Sequence, residues 1–299
     1  MNFPYFVNYL ISKGIFNFLS DEHFLPILYY ANMGEWPNLS NPQKLSEKLQ
    51  WLKLNYRKPE MTIFSDKVKV KDYIANKIGS EYLIPTLGVW ERAEDIDFSS
   101  LPNRFVIKVN HNSGSGMYIC RDKSKMDEDK VRKGLEKGLK EDYYRYYREW
   151  SYKNIPRRII AEQFIENADG TPVVDYKFYC YGGKPRYFMY SVGEADHHVR
   201  NCKFDMDCNN IDYLFKKKRA LSDDEIKIPN NFKEMKAIVE KLCVGFPHIR
   251  VDLYNVDGKI YFGELTFYSG AGFINIDNED FSNKLASYIE LKKVNSNRD

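Results

Sequence analysis

Arg250 to Gly272, RVDLYNVDGKIYFGELTFYSGAG, holds the residues best suited to chemistry. Two runs of strand composition flank Asn255-Val256-Asp257-Gly258, a hairpin signal. Val251, Leu253, Leu265 and Phe267 fall on one phase of the alternation, and Arg250, Asp252, Glu264 and Thr266 on the other. Register decides whether the polar set meets. A two-residue Asp-Gly loop pairs Asp252 with Gly263 and turns Glu264 to the other face. A three-residue loop, Val256-Asp257-Gly258 with Gly258 left-handed, gathers all four polar residues on one face. It also keeps the apolar face consistent, so the three-residue loop is the expectation. Asp252 and Glu264 are then diagonal neighbours, roughly 7 Å apart at Cβ. Two carboxylates so close repel unless a cation lies between them. An all-oxygen set with Thr266 favours magnesium, which takes a few carboxylates plus phosphate oxygens. The alternative is a solvated hairpin face with an Arg–Glu cross-strand pair.

Lys108 stands mid-strand in RFVIKV, out of phase with Phe105, Ile107 and Val109. The polar, glycine-rich loop NHNSGSG follows, then a strand from Met117 to Cys120. Backbone N–H groups in such a loop cradle phosphate oxygens while a nearby ammonium neutralises them. No GK[ST] follows, so this is not a Walker A loop. A solvent-facing lysine before a hairpin loop is the plain alternative. Asp66-Lys67 places a second cation at a helix start, or is merely a cap. Glu162-Gln163-Phe164-Ile165 closes a strand at a lobe boundary and suits a purine, or is an ordinary edge strand. Asp175, Lys177 and Tyr179 share one strand face. His197, His198, Cys202 and Cys208 match no standard zinc spacing. Lys216 to Arg219 reads as a solvated basic run, with an anionic glycan or nucleotide-sugar as the functional alternative. No serine or cysteine triad signature is visible.

Elements must hold these groups. Helical patterns cover 4–19, 21–33, 46–56, 66–78, 127–140, 231–243 and 280–291. Lys58-Pro59 is read as ending the third. Strands are expected at 83–85, 87–90, 104–109, 117–120, 159–165, 174–181 and 186–192, before the hairpin. Residues 193–230 read as polar and irregular. This mixture is α+β. The 299 residues suffice for two lobes. Forty-five basic against 42 acidic residues give a net charge of +3, too balanced for a nucleic-acid protein. Five scattered cysteines without CxxC spacing read as free thiols of a reducing compartment. The aromatic N-terminus, interrupted by Lys13, has no cleavage site and is short for a membrane span. It reads as an amphipathic helix packed on the body, the weaker alternative being a helix lying on a membrane surface.

The order of these pieces resembles the ATP-grasp superfamily: Asp66-Lys67, strand Lys108 with its small-residue loop, Glu162 to Ile165, Asp175 with Lys177, then Arg250/Asp252 and Glu264/Thr266. KLSEKLQWLKL, DKVKVKDYI, EYLIPTLGVW, RFVIKVNHNSGSG, REWSYKN, RRIIAEQFIE, DYKFYCYGGKPRYF and FPHIRVDLYNVDGKIYFGELTFYSGAGF look like the TupA-like ATP-grasp family. That family is associated with teichuronopeptide and other bacterial surface-polysaccharide biosynthesis. The likeness spans roughly residues 40–292.

The resemblance implies an ATP-grasp fold, two α+β lobes gripping ATP, behind a helical N-terminal segment. The expected division is 1–60, then 61–165 as first lobe and 166–299 as second lobe with the metal site. Lys67 and Lys108 would hold phosphates beneath a loop of Ser113, Gly114, Ser115, Gly116 and Met117. Glu162, Gln163, Phe164 and Ile165 would meet adenine, and Asp175 the ribose. Lys177 would reach the terminal phosphate, and Asp252 and Glu264 would bind Mg2+. Thr266 departs from the family, which commonly carries Asn there as a third ligand. Arg250 would stabilise the reacting species, and Ser269-Gly270 would offer N–H groups to an acceptor. The implied activity is that of a cytoplasmic ATP-dependent ligase forming an amide through an acyl phosphate. Its substrates would be a carboxylate, such as a uronic acid or nucleotide-linked sugar, and an amine. A sugar kinase and a non-catalytic nucleotide-binding subunit of a polysaccharide assembly complex are the alternatives.

Overall fold

The computed structural model describes residues 3–113, 115–193, 199–215, 221–274 and 276–291. Gly114, His197, His198, the basic run 216–219 and the tail from 294 lie outside them. Two antiparallel sheets organise the chain, as the α+β expectation requires. The first is built from β1 (Thr86–Trp90), β2 (Phe105–Val109), β3 (Met117–Cys120) and β4 (Ile159–Gln163), in the order β1-β4-β2-β3. The second comprises β5 (Val174–Tyr181), β6 (Lys184–Val192), β7 (Arg200–Asp205), β8 (His248–Val256) and β9 (Lys259–Thr266), in the order β7-β6-β5-β8-β9.

The helices are α1 (Phe3–Ser12), α2 (Asp21–Met33), α3 (Leu45–Asn55), α4 (Pro59–Ser65), α5 (Val70–Lys77), α6 (Glu128–Lys140), α7 (Tyr144–Tyr147), α8 (Phe232–Cys243) and α9 (Glu279–Ser287). Pro59 does not merely end α3. It occupies the first turn of α4, where a missing N–H costs nothing and a fixed φ suits the helix. The helix expected from residue 66 starts at Val70, because Asp66 caps the C-terminus of α4. Residues 83–85 form no strand. β7 lies within the stretch read as irregular, its alternation of Cys202 and Phe204 inward being too short to stand out.

The first sheet packs Phe105, Ile107, Val109, Ile159 and Ala161 against Val131 and Leu135 of α6. In the second, Phe178, Phe188, Val251, Leu253 and Leu265 form an apolar face, and Phe232 of α8 stacks 5.9 Å from Phe178 and 4.9 Å from Phe188. Residues of α3, α4 and α5, including Leu49, Leu52, Met61 and Ile74, join this second core. β4 belongs to one sheet and β5 to the other, so residues 164–173 cross between them. Val7 of α1 is buried, while Tyr5, Tyr9 and Phe18 are exposed.

The hairpin corrects the expected loop. Val256 pairs with Lys259, leaving a two-residue Asp257-Gly258 turn with φ of 49° and 84°, both left-handed. Two positive φ values match the twist of the strands, which is why Asp-Gly suits this turn. The pairing then shifts between Asp252 and Leu253: Leu253 faces Phe262, but Asp252 faces Glu264. Gly263 is the extra residue of a β-bulge, and the bulge restores the common face that the turn alone would destroy. Asp252 and Glu264 are therefore directly opposite rather than diagonal.

Candidate active site between the two sheets

The second face of the larger sheet carries charge. Antiparallel pairing sets Lys177 beside Asp252, Tyr179 beside Arg250 and Asp175 beside Tyr254, with Glu264 and Thr266 next on β9. Arg250 donates from Nε to Asp252 Oδ1 at 2.7 Å and from Nη2 to Asp252 Oδ2 at 2.6 Å. The same Nη2 reaches Glu264 Oε1 at 2.7 Å. Thr266 donates its hydroxyl to Glu264 at 3.3 Å, and Lys177 bridges Asp175 and Asp252. Like charges on adjacent strands are tolerable only because these cations stand between them.

Burial would raise the Glu264 carboxyl, but Arg250, Lys67, Lys177 and Lys108 together hold it down at about 2. Lys108 comes from β2 of the smaller sheet and Lys67 from the turn between α4 and α5, so both halves focus charge on this point. Burial raises Asp175 to about 7, with Asp252 adding to burial and Lys177 opposing it. Its Oδ1 is buried with no hydrogen-bond partner among the described residues. An orphaned acceptor there fits a hydroxyl donor such as a ribose.

Lys108 ion-pairs with Glu162 at 2.8 Å, and Lys71 holds the other Glu162 oxygen at 2.5 Å. The Glu162 side chain is thus a clamp on two cations, a role its position at a strand end does not announce. Burial pulls the Lys108 ammonium down, and Glu162 more than reverses this. Lys67 donates to the Asn112 carbonyl at 2.6 Å, so it grips the loop itself. Asn112 and Ser115 both donate to Glu141, pinning the loop further. Gly116 has φ of 63°, and a Cβ there would sit 2.9 Å from Gly138 Cα, so the loop needs glycine to lie on α6. Met117 pairs with Lys108 and is exposed. Gln163 is exposed, whereas Phe164 is half-buried beneath the Arg104 and Arg121 guanidinium groups, 4.4 and 5.5 Å away, and Ile165 is half-buried.

Arg250, Glu264 and Thr266 open into a cavity of about 460 Å3 that Ser113 and Gly270 also line. Ser269 itself is buried outside this lining, and its hydroxyl is 3.3 Å from His248 Nε2. The His248 Nδ1 donates to the Cys180 carbonyl at 2.9 Å, so Nε2 accepts from Ser269. Tyr143, Tyr147, Tyr152 and Tyr268 add aromatic walls. Two residues at its edge went unnoticed as sequence features. Glu149 lines the cavity, and burial raises its carboxyl to about 7. Lys53 is fully buried behind it and donates to the carbonyls of Tyr147 and Ala271, both at 2.8 Å. A signal existed for Lys53, since it falls four residues after Leu49 on an apolar helix stripe.

Among the described residues no group of three or more His, Cys, Asp or Glu side chains is placed to hold a metal. The carboxylate pair Asp252–Glu264 with the Thr266 hydroxyl is the oxygen set present. Two carboxylates and a hydroxyl fit magnesium that shares its shell with phosphate oxygens. They do not make an all-protein cage.

A solved D-alanine–D-alanine ligase of Bacillus anthracis, crystallised with ATP, is similar at 16% identity and a TM-score of 0.43, covering 78% of this chain and 67% of that one. The ATP-grasp ligase PsnB, solved with a minimal precursor, Mg and ADP, is similar at 12% identity and a TM-score of 0.42, covering 82% and 66%. D-Cycloserine synthetase DcsG is similar at 13% identity and a TM-score of 0.44, covering 79% and 72%. No curated protein sequence matches the chain. The model of the TupA-like ATP-grasp family matches residues 47–290. The chain belongs to the TupA-like ATP-grasp family.

Proposed function

We propose that this protein is an ADP-forming ligase that joins a carboxylate to an amine, using magnesium ATP. The observation that carries the reading is the Arg250–Asp252–Glu264 cluster, which three further cations, Lys67, Lys108 and Lys177, surround and whose Arg250 and Glu264 line an aromatic-walled cavity. Lys67, Lys108 and the 113–117 loop bind phosphate, Asp175 takes the ribose, and residues 162–165 lie where the chain crosses between sheets and meet the base. Magnesium at Asp252 and Glu264 would neutralise the charge that builds up on the transferring phosphoryl group. It would take oxygens that Arg250 now holds. Lys177 and Arg250 orient the terminal phosphate against the substrate carboxylate, and preformed charge at the site supplies most of the stabilisation. The carboxylate becomes an acyl phosphate, and the amine displaces inorganic phosphate.

The acceptor is a uronic acid of a surface polysaccharide or its nucleotide-linked precursor, a reading that rests on the family association alone. The setting is the cytoplasm, in keeping with five cysteines that form no disulfide. No described helix is long and apolar enough to cross a membrane, and exposed Tyr5, Tyr9 and Phe18 leave room for weak association with a membrane surface or an assembly partner.

The test incubates the protein and magnesium ATP with a panel of uronic acids and amino acids and reads products by mass spectrometry. A ligase releases ADP and phosphate only when both substrates are present, and its product weighs their sum less one water. A phosphorylated sugar formed without amine would make it a kinase. ATP binding without substrate-dependent turnover would make it a scaffold.

A further inference from the structure

We propose that Glu149 is the residue that receives the amine substrate, binding it as an ammonium ion and taking its proton before attack. This rests on the ligase reading and adds the identity of the second substrate's anchor. Glu149 is only 4% exposed, and what remains accessible opens into the cavity. Its carboxylate has no hydrogen bond or ion pair among the described residues, although an unpaired buried charge is costly. The cations nearest in effect are already committed. Lys53 donates to two backbone carbonyls and acts on Glu149 only through its charge, and Arg250 is bonded to Asp252 and Glu264.

Glu149 follows directly on the left-handed C-cap of α7, whose N–H bonds the Tyr144 carbonyl. Arg148, immediately before it, has φ of 54° without being glycine. Ala271, on the same cavity, also has φ of 54°. Lys53 ties the two strained walls together through Tyr147 and Ala271. Strain of this kind persists only where surrounding structure enforces it, and it gathers at functional sites. The remaining walls are Tyr143, Tyr152, Tyr268 and Phe273, aromatic rings that suit the apolar stem of an amine, and Lys53 already lies over Tyr268 and Phe273 at 5.8 and 5.5 Å. Arg250 and Glu264 stand on the same cavity, so an amine on Glu149 faces the place where the carboxylate is activated.

The proton inventory closes. An N–H bond of the ammonium breaks and an O–H bond forms on Glu149. The freed lone pair attacks the acyl carbon, the C–O bond to phosphate breaks, and the amine's second proton leaves with the phosphate. The groups facing Glu149 are Lys53 from α3, Arg250 from β8 and Glu264 from β9, with Tyr143, Tyr152 and Tyr268 around them. Burial against these leaves its carboxyl at about 7, a value suited to exchanging a proton with an amine.

The experiment is a thermal-shift titration of the full chain with L-amino acid amides and their N-acetyl counterparts, with and without magnesium ATP. At least one free amine should stabilise the protein and its N-acetyl form should not. Glu149→Gln should weaken that binding by roughly tenfold or more while leaving the ATP-induced shift intact, and its unliganded melting temperature should be no lower than that of the native protein, since a costly buried charge is removed. The amine-induced shift should grow as pH rises through about 7 in the native protein and stay flat in the variant. Glu149→Asp, which keeps the charge, should retain part of the binding. Equal amine binding by native protein and Glu149→Gln, or no free amine binding at all, overturns the proposal while the ATP shift stands. Absence of the ATP shift itself overturns the ligase reading and this inference with it.

Discussion

Asp252 and Glu264 face each other directly across β8 and β9, and one guanidinium, that of Arg250, holds both. Their burdens differ. Asp252 is buried and ties down Arg250 and Lys177, whereas Glu264 is about one-third exposed and among the described residues bonds Arg250 and Thr266. Asp252→Asn and Glu264→Gln should each remove most turnover. Asp252→Asn should also cost about 1–3 kcal/mol of unliganded stability, because it leaves buried cations short of charge. Glu264→Gln should cost less than about 1 kcal/mol. Turnover assays and denaturant midpoints on the two variants check both halves, and equal activity of either with native protein would take its carboxylate out of the site.

The bulge at Gly263 makes that meeting possible. A Cβ on residue 263 would lie 3.0 Å from the Asp252 carbonyl oxygen. Gly263→Ala should therefore push the Asp252 strand and reduce turnover while the protein stays folded. Deleting Gly263 should be worse, since without the extra residue Glu264 moves to the opposite face. A manganese titration followed by electron paramagnetic resonance should show weaker metal binding for Gly263→Ala and none at this site for the deletion.

Lys108 and Lys71 share Glu162, so removing Lys108 leaves the carboxylate still paired. Magnesium ATP should raise the melting temperature of the native protein, because it binds only the folded state. Lys108→Ala should shrink this rise with little change in the unliganded melting temperature. An undiminished ATP-induced shift in the variant would place Lys108 outside the nucleotide site.

His248 supplies a pH signature. Burial pushes its imidazole down to about 3, and the Arg250 charge adds to this against the bond to Cys180. The folded state keeps His248 neutral, while the unfolded chain protonates it below about 6.5. Its contribution is therefore complete above about pH 6.5 and is lost as pH falls towards about 3. At about pH 5 the loss is roughly 2 kcal/mol. The raised carboxyls of Glu149 and Asp175 act in the opposite sense, gaining stability as pH falls below about 7. Comparing native protein with His248→Asn isolates the histidine, and the difference between their urea midpoints should narrow from pH 7 to pH 5, a range taken from the reference value of about 6.5.

What the sequence alone determined is local. Alternation in Arg250 to Val256 and in Glu264 to Phe267 reports which residues share a strand face, because side chains alternate with a period of two whatever the strand pairs with. The hairpin signal at Asn255 to Gly258, the glycines that follow Lys108 and the spacing from Lys67 to Thr266 are likewise written along the chain. Tertiary structure decided how two faces register. The bulge at Gly263 exists only in the pairing of β8 with β9, and an alternation argument resolves a mismatch by lengthening the turn instead. Tertiary structure also decided the company each charge keeps. Glu162 meets Lys71 across 91 residues, and Lys53 reaches Ala271 across 218. Neither separation has a local signature, since a buried ion pair or carbonyl bond is selected by the space left between packed elements. Glu149 illustrates the limit best: one acid among 42 in the sequence becomes distinct only when folding buries it on a cavity with no cation bonded to it among the described residues.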